Sequence, residues 1–196
     1  MWISNVESIH RHSLIVGLDI KWRPSFNRYI NNTTSMLQLC IGGRCLIFQL
    51  VHSPSIPKSL TDFLTNPNCT FIGIGIDSDL EKLQEDYEFG FNTNMINVRG
   101  LAADKYGQSY LKRDRLKGLA KAVLDKDVEK PKRITMSRWD YQWLTPAQMQ
   151  MINKYRDVGS ILVRPTRIWL RQNIRMVSPA RGLCVRFFRH HYAFLR

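Results

Sequence analysis

Two residues of opposite charge, Asp19 and Lys21, stand two apart in the segment Gly17-Leu18-Asp19-Ile20-Lys21-Trp22-Arg23-Pro24-Ser25-Phe26. Side chains alternate across a strand, so residues two apart project from one face and a carboxylate meets an ammonium there. Converging carboxylates can hold an oxygen-seeking cation such as magnesium. A lysine in the same place, with a reference pKa of ~10.4, stays charged and offers an ion pair instead. Taken alone, Asp19 reads as a solvated aspartate at a strand end. A second acidic stretch, Asp77-Ser78-Asp79, follows the β-rich run from Cys69 to Ile76 and opens a helical pattern, the mark of a strand-to-helix turn.

The elements that would position these residues are legible in the apolar pattern. Residues 2–10 suit a short helix, and the run Leu14-Ile15-Val16 predicts a strand buried on both faces, extending from His12 to Lys21. Two further strands, Ser35 to Ile41 and Arg44 to Val51, flank Gly42-Gly43, a dipeptide suited to a tight hairpin. A helix opened by proline is expected from Pro57 to Leu64, then the strand ending near Ile76, then a helix over Asp79 to Tyr87 capped by Asp77 or Ser78. A short strand from Ile96 to Val98, helices over Arg99–Tyr106 and Leu116–Leu124, a polar basic stretch from Asp125 to Trp139, and a last helix from Pro146 to about Tyr155 complete the reading. Strands clustered first and helices later indicate an α/β layer with a mixed sheet.

Composition bounds the partners. The chain of 196 residues is 44% hydrophobic and 23% charged, as expected of one soluble domain. Its sequence carries no apolar run of the ~18 residues a bilayer requires and no secretion signal is read, so an intracellular address, nuclear or cytoplasmic, is expected. The net charge of +13 suggests a polyanion as partner. Much of that excess lies in residues 158–196, which hold eight Arg and no Lys, Asp or Glu; residues 1–157 carry 21 basic against 16 acidic groups. The division predicts a domain over 1–157 and a compositionally foreign, poorly ordered tail over 158–196. Cys40, Cys45, Cys69 and Cys184 lack zinc spacing and are expected to remain reduced thiols.

The segment Val16 to Phe26 resembles the first motif of the DEDD 3′-to-5′ exonucleases, in particular the plant Werner-syndrome-like group. The segment Gly73-Ile74-Gly75-Ile76-Asp77-Ser78-Asp79-Leu80-Glu81-Lys82-Leu83 resembles their second motif. Supporting matches are Cys45–Leu50, Arg99–Ala102, Leu116–Ala120 and Ser137-Arg138-Trp139 ahead of Leu144-Thr145, so the resemblance spans about residues 2–150. It implies an RNase H-like α/β fold with a mixed five-stranded sheet flanked by helices, and removal of nucleotides from a nucleic-acid 3′ end, DNA or RNA. It also implies Mg²⁺ or Mn²⁺ held by four acids, with a tyrosine orienting the attacking water. By that resemblance Asp19 and Asp79 are the surviving catalytic and metal-binding acids, with Asp77 a neighbouring alternative to Asp79. Three positions depart from the pattern: Lys21 stands for an acid, Met151 for the tyrosine and Tyr155 for the last aspartate.

Two functions therefore compete: a metal-dependent 3′-to-5′ exonuclease, and a catalytically silent relative that binds nucleic acid or assembles with related chains. Two acids and a lysine offset far less of the charge of two Mg²⁺ ions than four acids do, so hydrolysis is expected to be weak or absent. Trp22, Arg23, Lys130, Lys132 and Arg133 are candidate nucleic-acid contacts; of Trp139, Tyr141 and Trp143, which follow them, the two tryptophans are read as anchoring their loop to the core. His10, His12, His190 and His191 lack ligand-spaced partners. Arg164, Arg167, Arg171 and Arg175 recur at helical spacing, but Pro165 interrupts their first turn.

Overall fold

The computed structural model describes residues 2–9, 14–90, 94–153 and 193–195. One mixed sheet organises them. Its strands are β1 (Leu14–Trp22), β2 (Thr34–Ile41), β3 (Arg44–Gln49), β4 (Cys69–Gly73), β5 (Asn94–Asn97) and β6 (Ala193–Leu195), in the order β5-β4-β1-β2-β3-β6. The hairpin strands β1, β2 and β3 are antiparallel, whereas β4 lies parallel to β1 and β5 parallel to β4. These are the five expected strands. β6 adds a sixth, parallel to β3, from three residues of the basic tail; the other tail residues, with the four spaced arginines, His190, His191 and Cys184, lie outside the described residues, as do His10 and His12.

The helices are α1 (Trp2–Ile9), α2 (Lys58–Leu64), α3 (Ile76–Tyr87), α4 (Val98–Tyr106), α5 (Leu116–Leu124), α6 (Lys132–Thr135) and α7 over residues 146–153. β1 does not bury both faces: Leu14, Val16, Leu18 and Ile20 are buried while Ile15, Gly17, Asp19 and Lys21 are partly open. The buried set joins Leu37, Leu39, Leu46, Phe48 and Phe71 under α1, α2 and α3, which contribute Trp2, Val6, Leu60, Phe63, Ile76, Leu80 and Leu83. The second face is covered in two patches. Val98, Leu116, Ala120 and Val128 pack on Ile15, Ile72 and Ile96. Trp139, Met151 and Ile152 pack on Met36 and Ile47. Asp19 and Lys21 belong to this second face, beside both patches, because their cross-strand partners are Gln38 and Met36.

Local chemistry fixes the boundaries. Gly42 adopts φ 58°, as the first central residue of a primed hairpin turn requires, and the resulting register sets Cys40 directly opposite Cys45. Their Cα atoms are 4.2 Å apart and the two are joined as a disulfide, which corrects the expectation of reduced thiols. The signal was present as a five-residue separation centred on a two-residue turn. Cys69 does remain a buried thiol; burial, with the charge of Glu7 adding to it, pushes its pKa up to about 11. Thr145 and Gln148 form a capping box at the start of α7. The Gln148 Oε1 accepts the Thr145 N–H at 2.8 Å and the Thr145 hydroxyl accepts the Gln148 N–H at 3.3 Å. Gln148 also donates to Ser137 and to the Arg138 carbonyl, holding α7 to the turn before it.

The segment between β4 and α3 matters most for the site. The strand stops at Gly73 rather than Ile76, and Gly75, at φ 76°, caps the helix in place of Asp77 or Ser78. Its carbonyl accepts the N–H groups of Ser78 at 3.1 Å and Asp79 at 3.4 Å. A side chain at Gly75 would press on the Arg99 guanidinium at 3.2 Å. At its other end α3 is tied to β2: the Asp86 carboxylate accepts both the Thr34 N–H and its hydroxyl at 2.7 Å, Lys82 lies 3.2 Å away, and the Tyr87 hydroxyl donates to the Thr34 carbonyl at 2.6 Å. Burial alone would raise the Asp86 pKa, yet the Thr34 donors and Lys82 hold it below the ordinary carboxylate value.

Gly73 permits this arrangement, since a Cβ there would stand 2.9 Å from the Leu18 carbonyl oxygen and 3.1 Å from the Ile76 Cβ. Backbone cannot swing aside as a side chain can. Gly73→Ala is expected to destabilise the domain by about 1–3 kcal/mol, measured by urea denaturation, with Gly90→Ala, which meets nothing within 4 Å, as the tolerated control.

Candidate active site

β1 and α3 bring Asp19, Lys21 and Asp79 to one end of the sheet. The Lys21 ammonium contacts the Asp19 Oδ2 and also donates to the Ile20 carbonyl at 3.1 Å. The lysine side chain is only 19% exposed while that of Asp19 is 47% exposed, so the cation is the more enclosed partner. The alternation of β1 therefore puts the two charges on one face, as their spacing predicts.

Asp79 occupies the first turn of α3, and its neighbours identify it as the residue that looks toward β1. Burial pushes its carboxyl up to about 7; the Asp19 carboxylate adds to the rise, and Lys21, Arg99 and Lys130 oppose it. Asp77, the alternative by one step of register, turns away, accepting the Asn97 side-chain N–H at 2.6 Å. Asn97 meanwhile caps α4 through the Arg99 N–H at 3.1 Å and reaches the Gly75 N–H at 3.4 Å, so it fixes the direction of the acidic turn.

Lys130 is the member that sequence reasoning placed elsewhere, as a loop residue gripping phosphate. It remains exposed by surface area, but its ammonium end is crowded by protein: loss of solvation lowers its pKa, with Asp19 and Asp79 pulling upward and Lys21 downward. Val128, two residues earlier, packs on the second face, which brings Lys130 within electrostatic range of the carboxylates. Nothing in the spacing of Lys130 relative to Asp19, 111 positions earlier, could have shown that meeting.

Among the other anticipated residues, Met151 is buried at 5% exposure with Met36, Ile47, Trp139 and Ile152, an apolar filler on the face that carries Lys21. Tyr155 lies outside the described residues. Trp22 is 38% exposed, with the Lys82 ammonium 5.6 Å from its ring centre. Arg23, Lys132 and Arg133 are exposed. Trp139 anchors its loop as expected, at 1% exposure, whereas Trp143 at 67% does not; Tyr141 between them is 52% exposed.

The donor set does not fit the metal centre that the resembled motifs imply. Asp19 is already paired with an ammonium, and the described residues hold no group of three or more His, Cys, Asp or Glu that could share a metal ion. The site instead balances two carboxylates against Lys21 and Lys130.

A carboxyl whose folded pKa is raised opposes folding when it ionises: the cost is absent below the unfolded value near 4, grows as pH rises, and is complete above about 7. Asp79→Asn is therefore expected to raise the thermal midpoint at pH 8, by an amount equivalent to a few kcal/mol at most, and the gain should shrink toward zero as the pH is lowered to 4. Thermal unfolding followed across that range checks the sign.

The 3′-5′ exonuclease family model matches residues 3–155. A 3′-5′ exonuclease of Arabidopsis thaliana is 33% identical over 137 residues, covering 69% of this chain and 46% of the relative. The bifunctional 3′-5′ exonuclease/ATP-dependent helicase WRN of Mus musculus is 28% identical over 140 residues, covering 68% of this chain and 9% of that protein. The chain thus spans about half the length of the first relative and a small part of the second. In fold it is similar to the Aedes aegypti Nibbler EXO domain, with a TM-score of 0.66 at 15% identity over 87% of this chain and 84% of that one. The match over residues 3–155, carried on the expected RNase H-like sheet, shows that the chain belongs to the 3′-5′ exonuclease family.

Proposed function

We propose that this domain engages a nucleic-acid 3′ end, DNA or RNA, at the Asp19–Asp79 end of its sheet, with little or no metal-dependent hydrolysis. The observation that carries the reading is the ion pair between Lys21 and Asp19 on the face that Asp79 also approaches. An ion pair contributes no net charge, which leaves Asp79 as the other carboxylate at this end of the sheet. Two Mg²⁺ ions carry a charge of +4 and need anionic ligands to remain together. Lys21 and Lys130 take up the same negative charge from within the chain.

A competing reading, an active exonuclease, draws on family membership and on the Arabidopsis relative. It requires Asp19 to leave Lys21. The two separate in an assay with a labelled duplex bearing a recessed 3′ end, Mg²⁺ or Mn²⁺, and an Asp19→Ala control. The expected outcome is retained binding without Asp19-dependent shortening; shortening that disappears in Asp19→Ala would refute the proposal. Lys21→Glu should strengthen Mn²⁺ binding by calorimetry at least about tenfold, since it exchanges a repulsive charge for a ligand.

A further inference from the structure

The loop from Arg23 to Thr33 is closed by hydrogen bonds from its polar side chains and leaves its aromatic groups exposed. Ser25 and Asn27 hold its backbone: the Ser25 hydroxyl donates to the Asn27 carbonyl at 2.9 Å, and the Asn27 Oδ1 accepts the Tyr29 N–H at 3.0 Å. Asn32 closes the loop on the Arg23 carbonyl at 2.8 Å, and Lys82 reaches Asn31 at 2.9 Å. Yet Phe26 is 91% exposed, Tyr29 80% and Ile30 52%. Arg28 lies over the Tyr29 ring, 4.9 Å from its centre, and donates to its hydroxyl. The segment from Trp22 to Thr33 contains Arg23 and Arg28 and no acid.

A second surface of the same kind stands at the end of β3. Arg138 covers the Tyr141 ring at 4.3 Å, and Trp143 follows, well exposed. The turn that carries them is fastened from beneath, where Gln49 donates to the Tyr141 carbonyl at 3.0 Å and the His52 Nε2 lies 2.8 Å from the Asp140 carbonyl. Gln49 pairs with Met36, and Met36 with Lys21, so the turn lies two strand spacings, about 10 Å, along one row from the carboxylate site. Asp140 joins the two surfaces: it binds Arg138 through two bonds of 2.8 and 2.9 Å, and the charge of Arg23 also acts on it.

Exposed aromatic rings, with Arg28 on one face of Tyr29 and Arg138 on one face of Tyr141, match the chemistry of unpaired bases on a phosphate chain: the free ring faces stack on bases and the arginines add positive charge beside them. The absence of any acid from Trp22 to Thr33, beside Arg23 and Arg28, suits a polyanionic partner. We infer that Phe26, Tyr29, Tyr141 and Trp143 form a two-sided stacking platform that receives single-stranded nucleic acid and leads it toward Asp19 and Asp79. The inference rests on the nucleic-acid reading above and adds the strandedness and the residues.

The test is fluorescence anisotropy of a fluorescein-labelled single-stranded oligothymidine of about twelve nucleotides, titrated with the full chain and with Trp143→Ala, Phe26→Ala/Tyr29→Ala and Tyr29→Phe at several salt concentrations. The expected result is affinity lowered about tenfold by either truncation and kept by Tyr29→Phe. The salt slope should not change, because no phosphate contact is removed. Unchanged affinity in both truncations overturns the platform and leaves the nucleic-acid reading standing. Absence of binding by the unaltered chain overturns both. Concentration-dependent dimerisation in sedimentation that the truncations abolish, with oligothymidine affinity untouched, overturns the platform in favour of a second copy of the chain.

Discussion

The close approach of the β4–α3 turn to the backbone of β1 is the constraint on which the rest of the site depends. At Gly73 there is no room for a side chain between the two segments, and at Gly75 the left-handed backbone bends the chain into α3 while leaving space for Arg99. The parallel pairing of β4 with β1 aligns Gly17 with Ile72, so the strand that leads out of the sheet does so beside Asp19. Asp79 therefore arrives at the open end of β1 within the first turn of α3. The Asp86 and Tyr87 contacts with Thr34 hold the far end of the helix to the neighbouring strand, and the helix cannot pivot away from this position without breaking them.

Charge balance decides what such a place can do. Two carboxylates near one another in a partly desolvated setting repel, and either protons or cations must relieve that repulsion. Here both reliefs act: Lys21 pairs with Asp19, Lys130 approaches from the second face, and Asp79 holds its proton up to about pH 7. Met151 and Met36 fill the second face beside the site with apolar side chains.

The surroundings of the site show a division of labour between polar and aromatic groups. In the loop after β1 and the turn after Trp139, hydrogen bonds to backbone are made by Ser25, Asn27, Asn32, Gln49 and His52, and the exposed surface is left to rings and guanidiniums.

The linear chain by itself determined the order of the first five strands, the mixed sheet, the shared face of Asp19 and Lys21, and the strand-to-helix turn of the second acidic motif, because these follow from periods of two and 3.6 residues and from local turn chemistry. The choice of Asp79 over Asp77 required the hydrogen bond from Asn97, the disulfide required the register around Gly42, and the exposure of Trp143 beside the burial of Trp139 required the packing of α7. Lys130 reached the carboxylates only because the loop after α5 crosses the second face. Such meetings are set by which surfaces pack together across many tens of residues, and local spacing carries no record of them.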